Sequence, residues 1–166
     1  MALPPISRQD WKMKLLSVDP GTQTGVAIAH VIPSDKEVQI VPIICDVYPI
    51  EFGGLEQFID RHPDIHAAVV ESMAPIPSAA GRESWHRVEA LLLRKGLSFR
   101  PEFKKVITLK GIAQIGPGEW KPVMKASKLK HFGGFSPSTP HEKDAVMLLH
   151  YWVRSNYTKK KVVYHG

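Results

Sequence analysis

The sequence predicts an α/β fold, a central mixed sheet of five strands, three antiparallel and then parallel ones, flanked by helices. Three observations predict it. The first three apolar runs, at residues 14–18, 25–31 and 37–47, follow one another too closely for anything but hairpins, which makes them an antiparallel meander. A short segment of helical spacing then precedes a fourth run at residues 65–71, so that run is able to return parallel to the first. Apolar residues at three-and-four spacing within residues 82–95 and 141–154 supply helices to cover the sheet.

In chain order, residues 1–13 read as a loose leader, with Pro4-Pro5 opposing regular structure. The first strand holds Leu15, Leu16 and Val18 and stops at Asp19, where Pro20-Gly21 turns the chain into the second strand from Gly25. Asp is poor in strand interiors and costly in a core unless it is paired or holds a metal. Asp19 therefore either accepts N–H bonds from the turn that follows or belongs to a site with other carboxylates. Pro42 inside the third run calls for an edge position or a bulge. Gly53-Gly54 breaks the chain, and Leu55, Phe58 and Ile59 form a short helix that ends at His62-Pro63. The fourth run, I-H-A-A-V-V-E, also ends on a carboxylate, Glu71. Beside the first strand, it brings Glu71 and Asp19 to neighbouring strand ends at the carboxyl edge of the sheet, where α/β folds place their sites.

Pro75 and Pro77 make residues 72–80 a loop overhanging that edge. Trp85, Val88, Leu91 and Leu92 stripe the helix over residues 82–95. Residues 96–111 fit a short helix or a strand. Residues 112–115 read as a strand, followed by Gly116-Pro117-Gly118 and a brief helix containing Trp120 and Met124. After a loop at residues 133–140, Ala145, Leu148, Leu149 and Trp152 stripe the last helix, with Pro140 just ahead of it. His141 and Asp144, three apart, share one face of that helix. Residues 156–166, with Lys159-Lys160-Lys161, read as an exposed basic tail, which leaves a single domain over residues 14–155.

Composition excludes several classes. A chain of 166 residues holds one well-filled core, its 43% apolar and 23% charged residues are those of an ordinary globule, and no apolar run reaches the length of a bilayer span. The N-terminus lacks the order of a secretory signal and Cys45 is the single cysteine, so a reducing, cytoplasmic setting is expected. The net charge of +6 sits in one place: residues 100–131 carry eight Lys or Arg against Glu102 and Glu119, and the remainder is balanced. Such a block suits a polyanion such as nucleic acid.

A first strand ending D-P-G, a later strand ending in Glu71 and a final helix opening H-E-K-D-A (His141 to Ala145) together resemble the RuvC-type Holliday-junction resolvases, within the ribonuclease H-like fold, over residues 14–152. The resemblance implies that Asp19, Glu71 and Asp144 are acidic metal ligands, and that His141 fills a position where the family carries an acidic residue or a histidine. All four would be catalytic. It implies two Mg²⁺ ions per site, with Mn²⁺ also active, a two-fold homodimer, and paired nicks in four-way or branched DNA, with neither nucleotide cofactor nor membrane. The segment P-G-E-W-K matches the family's P-x-x-x-K context and singles out Lys121. Lys104, Lys105, Lys110, Lys121, Lys125, Lys128 and Lys130, with Arg82, are the candidate DNA contacts, and Met73 is a candidate apolar wedge. Apolar residues between Trp85 and Leu93 are candidates for the dimer interface. The chain departs from bacterial members in the loop after Glu71, which reads S-M-A-P-I-P without an aromatic, in a shorter connection from Lys121 to His141, and in lacking their glycine-rich helix packing pattern. These departures fit a divergent branch, such as a viral one acting in the host cytoplasm.

Phosphodiester hydrolysis needs an activated water, neutralised phosphoryl oxygens and help for the leaving 3′ oxygen, all of which two divalent ions supply. Carboxylate oxygens suit Mg²⁺. On this reading Asp19 bridges the ions, Glu71 and Asp144 each hold one side, and His141 either ligates a metal or positions or deprotonates water. His30, His62, His66, His86, His131, His150 and His165 lack such a context and read as structural. A ribonuclease H-like or general branched-DNA nuclease would use the same carboxylates, and a non-catalytic junction-binding module would keep only the basic segment. V-D-P-G-T-Q-T-G also resembles the phosphate-binding hairpin of actin-like sugar kinases, which need two such domains where this chain has room for one.

Overall fold

A computed structural model describes residues 13–71, 79–96, 111–127 and 134–164. The meander is β1 (Met13–Asp19), β2 (Gln23–Pro33) and β3 (Glu37–Pro49). A 3-10 turn (Ile50–Phe52) and α1 (Gly54–Asp60) lead to β4 (Ala67–Glu71), followed by α2 (Ala79–Arg94), β5 (Gly111–Ile115), α3 (Pro117–Ser127), α4 (Pro140–Asn156) and β6 (Lys161–Tyr164). The sheet order is β5-β4-β1-β2-β3-β6. β1 pairs antiparallel with β2 and β2 with β3, whereas β4 runs parallel to β1 and β5 parallel to β4. The five expected strands are present in the expected directions.

The sixth strand corrects the sequence reading. Residues 161–164, expected in an exposed tail, pair parallel with Glu37–Ile40 of β3 and are partly buried beyond Lys161. Pro42 sits where a bulge was expected: Ile28 pairs with Ile44 and Ala29 with Pro42, which leaves Ile43 as the extra residue. Met13 opens β1 fully buried, and the rest of the expected leader lies outside the described residues, as does the ambiguous stretch at residues 97–110.

Two cores lie on the two faces of the sheet, and the two-residue period of the strands assigns each side chain to one of them. Leu16 and Val18 of β1 with Ala68 and Val70 of β4 face α1 and α2. Met13 and Leu15 with Ala67 and Val69 face α3 and α4. Val88, Leu91 and Leu92 of α2 are spent on the first core, which corrects their expected use in a dimer interface; Leu93 is exposed, and Trp85 packs against the core's edge. Trp152 lies in the second core, as its apolar stripe predicts, and Trp120 lies there too. Among the described residues no helix is long and apolar enough to cross a membrane.

Candidate metal centre

Strand parity settles which face the two strand-end carboxylates occupy. Asp19 follows Leu15 by four residues and Glu71 follows Val69 by two, so both fall on the face covered by α3 and α4. Register then places them side by side, since Val18 pairs with Val70 and each carboxylate is one step further along. The third carboxylate, Asp144, comes from above on the second turn of α4. One oxygen from each of Asp19, Glu71 and Asp144 lies within 4.8 Å of the others, with Asp19 and Glu71 each 6% exposed.

Gly25 makes this approach of the helix possible. It pairs directly with Asp19 in the β1–β2 hairpin and lies on the same face. A Cβ at this position would overlap the His141 carbonyl and stand 3.0 Å from the Glu142 backbone nitrogen, so only glycine lets the start of α4 rest on the sheet here. The helix start is fixed by its cap. Thr139, the N-cap, accepts the Glu142 N–H at 3.2 Å and donates its hydroxyl to Glu142 Oε1 at 3.0 Å. Ser138 Oγ donates to the same oxygen at 3.0 Å, and Cys45 Sγ on β3 donates to Oε2 at 3.6 Å. Burial and the Glu142 charge push the Cys45 thiol up to about 11, which keeps it a protonated donor. Glu142, buried and anchored from two elements, is a support of the helix start that the sequence reading missed, although T-P-H-E carries the capping-box spacing.

Around the carboxylates stand three further groups. His141 Nδ1 is 3.5 Å from Asp19 Oδ2. Lys121 Nζ is 3.6 Å from Asp144 Oδ2, and Trp120 Nε1 donates to Glu71 Oε2 at 3.0 Å. The concentration of negative charge is felt by its members. Burial, then the neighbouring Glu71 and Asp144 charges, push the Asp19 carboxyl up to about 8 against the opposing pull of Lys121. Burial also raises Glu71, with Lys121 and the Trp120 hydrogen bond opposing. A cluster of hard oxygen donors that repel one another, with a lysine on one side only, has the donor chemistry of a divalent-cation site.

All four sequence-predicted site residues are thus brought together. Of the candidate DNA contacts, Lys121 joins the site and Arg82 is exposed on α2. Lys125 lies on α3, while Lys104, Lys105, Lys110, Lys128, Lys130 and Met73 are outside the described residues. Trp120, which the sequence reading placed only on a brief helix, is a polar partner of the site.

No family model matches this sequence, and no curated protein does. Solved structures do match. RuvC from Thermus thermophilus shares 14% identity over 86% of this chain and 96% of its own, with a TM-score of 0.54. The structure of T. thermophilus RuvC in complex with Holliday junction substrate matches over the same shares with a TM-score of 0.53 and 14% identity. The yeast mitochondrial Holliday junction resolvase matches at 14% identity over 91% of this chain and 82% of its own, with a TM-score of 0.51. The mixed sheet, its strand order and the likeness over most of the chain identify the fold as that of the RuvC-like resolvases, a ribonuclease H-like architecture.

Proposed function

We propose that this chain is a metal-dependent, structure-selective endodeoxyribonuclease that resolves four-way DNA junctions by paired nicks. The observation that carries the proposal is the convergence of Asp19, Glu71 and Asp144 at the carboxyl edge of the sheet, from three elements far apart in sequence. Clustered carboxylates at a sheet edge do nothing for stability, since burial of like charges opposes folding. They are explained by a cation.

Bound Mg²⁺ or Mn²⁺, two ions per site, would supply an activated water and neutralise the charge on the phosphoryl and leaving oxygens. The chain's own residues do the rest. Asp19, at the end of β1 with an oxygen within 4.8 Å of one from each of Glu71 and Asp144, would hold the cations together with those two carboxylates. His141, beside Asp19 and partly exposed, completes a coordination shell or takes the proton of the attacking water. Lys121 adds a positive charge at the mouth of the site, where it meets a phosphate. The basic segment at residues 100–131 binds the DNA backbone. A two-fold dimer would present two such sites to the two-fold symmetry of a junction, and the protein would work in the cytoplasm of a cell or of a viral host.

The test is substrate preference. Labelled four-way DNA junction, linear duplex and RNA–DNA hybrid are incubated with the protein in Mg²⁺, Mn²⁺ or EDTA. The proposal expects paired nicks in the junction alone, abolished by EDTA. Cutting of the hybrid alone would move the protein to the ribonuclease H class, and tight junction binding without cutting would make it a binding module.

A further inference from the structure

Glu71 receives its hydrogen bond from an unusual donor for a charged site. The Trp120 indole N–H meets Oε2 at 3.0 Å in a fully buried contact, with Trp120 2% exposed. The indole is itself locked. Ile115, which pairs with Glu71 across β5 and β4, is followed by Gly116, whose carbonyl accepts the Trp120 backbone N–H, and the ring belongs to the core beneath α3 and α4. A donor held this way fixes the rotation of the carboxylate about its last bond. Oε2 is turned to the indole, and Oε1 remains the oxygen that Trp120 does not engage.

The chemistry of the donor matters. A lysine or arginine in this place would neutralise Glu71 and compete with a cation for it, whereas an indole N–H orients the carboxylate and leaves its charge intact. The face of the same ring lies 5.5 Å from Lys121 Nζ, within range of a cation–π contact, and that ammonium stands 3.6 Å from Asp144. The edge of Trp120 therefore serves one carboxylate, and its face favours the cation beside another.

We infer that Trp120 is a positioning residue of the metal centre, whose indole N–H presents a single oxygen of Glu71 to the divalent cation. This rests on the metal reading of the site given above. The simpler account, that the ring fills the core and its N–H takes the nearest acceptor, makes no prediction about metal affinity.

The test is calorimetric titration of the full chain with Mn²⁺ in the absence of DNA, comparing wild type, W120F, E71Q and the double variant. W120F is expected to weaken Mn²⁺ binding about 10- to 100-fold, the usual effect of losing an outer-shell partner. In the E71Q background the same substitution is expected to change the affinity little, because the ligand it positions is already altered. Wild-type affinity in W120F, or an equal loss in both backgrounds, overturns the inference while leaving the metal centre standing. No Mn²⁺ binding by the wild type overturns the metal reading, and the inference with it. Should W120F fail to fold, the wild type decides: the Trp120 indole N–H resonance is expected to shift on addition of Mg²⁺, and an unmoved resonance overturns the inference.

Discussion

Asp19 carries opposing demands: a core position on the central strand and a charge shared with two other carboxylates. Its carboxyl, near 3.8 when unperturbed, is raised to about 8 by burial and by those neighbours. Between these values the folded, cation-free chain retains a proton that the unfolded chain has lost. Its contribution to stability is therefore whole below about pH 4 and is lost as pH climbs to about 8. Glu71, also raised, acts with the same sign. In EDTA the thermal midpoint of the wild type should thus fall between pH 5 and pH 8. D19N, with no charge to bury, should fall less and exceed the wild type at pH 8, and parallel profiles would contradict this. Added Mg²⁺ at pH 8 should restore the wild type and leave D19N nearly unmoved. Asp19 and Glu71 were legible in the sequence because a carboxylate ending a buried apolar run stands out. The role of Trp120 was not legible, since the direction of an indole N–H depends on packing between α3 and β4 and leaves no mark in spacing.

The start of α4 is the element on which the site depends, because it carries both His141 and Asp144. It is held by the Thr139–Glu142 cap, by Cys45 from β3, and by the absence of a side chain at Gly25. Replacing Gly25 with alanine forces the helix start away from the hairpin, since the new Cβ meets backbone rather than a flexible side chain. We expect G25A to cost about 1–3 kcal/mol of stability, typical of overpacking, and to lower cleavage about 100-fold or more, as a displacement near 1 Å does in active sites. Unfolding midpoints and single-turnover cleavage measured together check it; wild-type cleavage in G25A would show that α4 tolerates the shift. The helix itself was readable from its apolar stripe and from Pro140. The role of Gly25 was not, because a glycine at the start of a strand reads as part of a turn until the helix that rests on it is known. The contact between Cys45 and Glu142 spans 97 residues and is equally silent in the sequence.

At the scale of the molecule, the meander and the parallel return of β4 were legible because hairpin spacing makes neighbours antiparallel and an intervening helix gives the next strand room to return parallel. β6 was not, since four residues after a lysine run carry too little pattern to reveal pairing with β3, at the far edge of the sheet. The apolar stripe of α2 was seen correctly and its partner was not: periodicity shows that a face is buried, and here the sheet buries it. The whole architecture fixes three repelling carboxylates on three separate elements, an arrangement that folding alone does not favour and that the proposed cation would explain. The most direct measurement is cleavage and binding of one labelled four-way junction by wild type and D19N side by side in Mg²⁺. The account predicts that D19N loses cleavage by at least about 1,000-fold, on the scale of removing a principal catalytic group, while its affinity for the junction stays within a few-fold of wild type. Cleavage by D19N at the wild-type rate would contradict it.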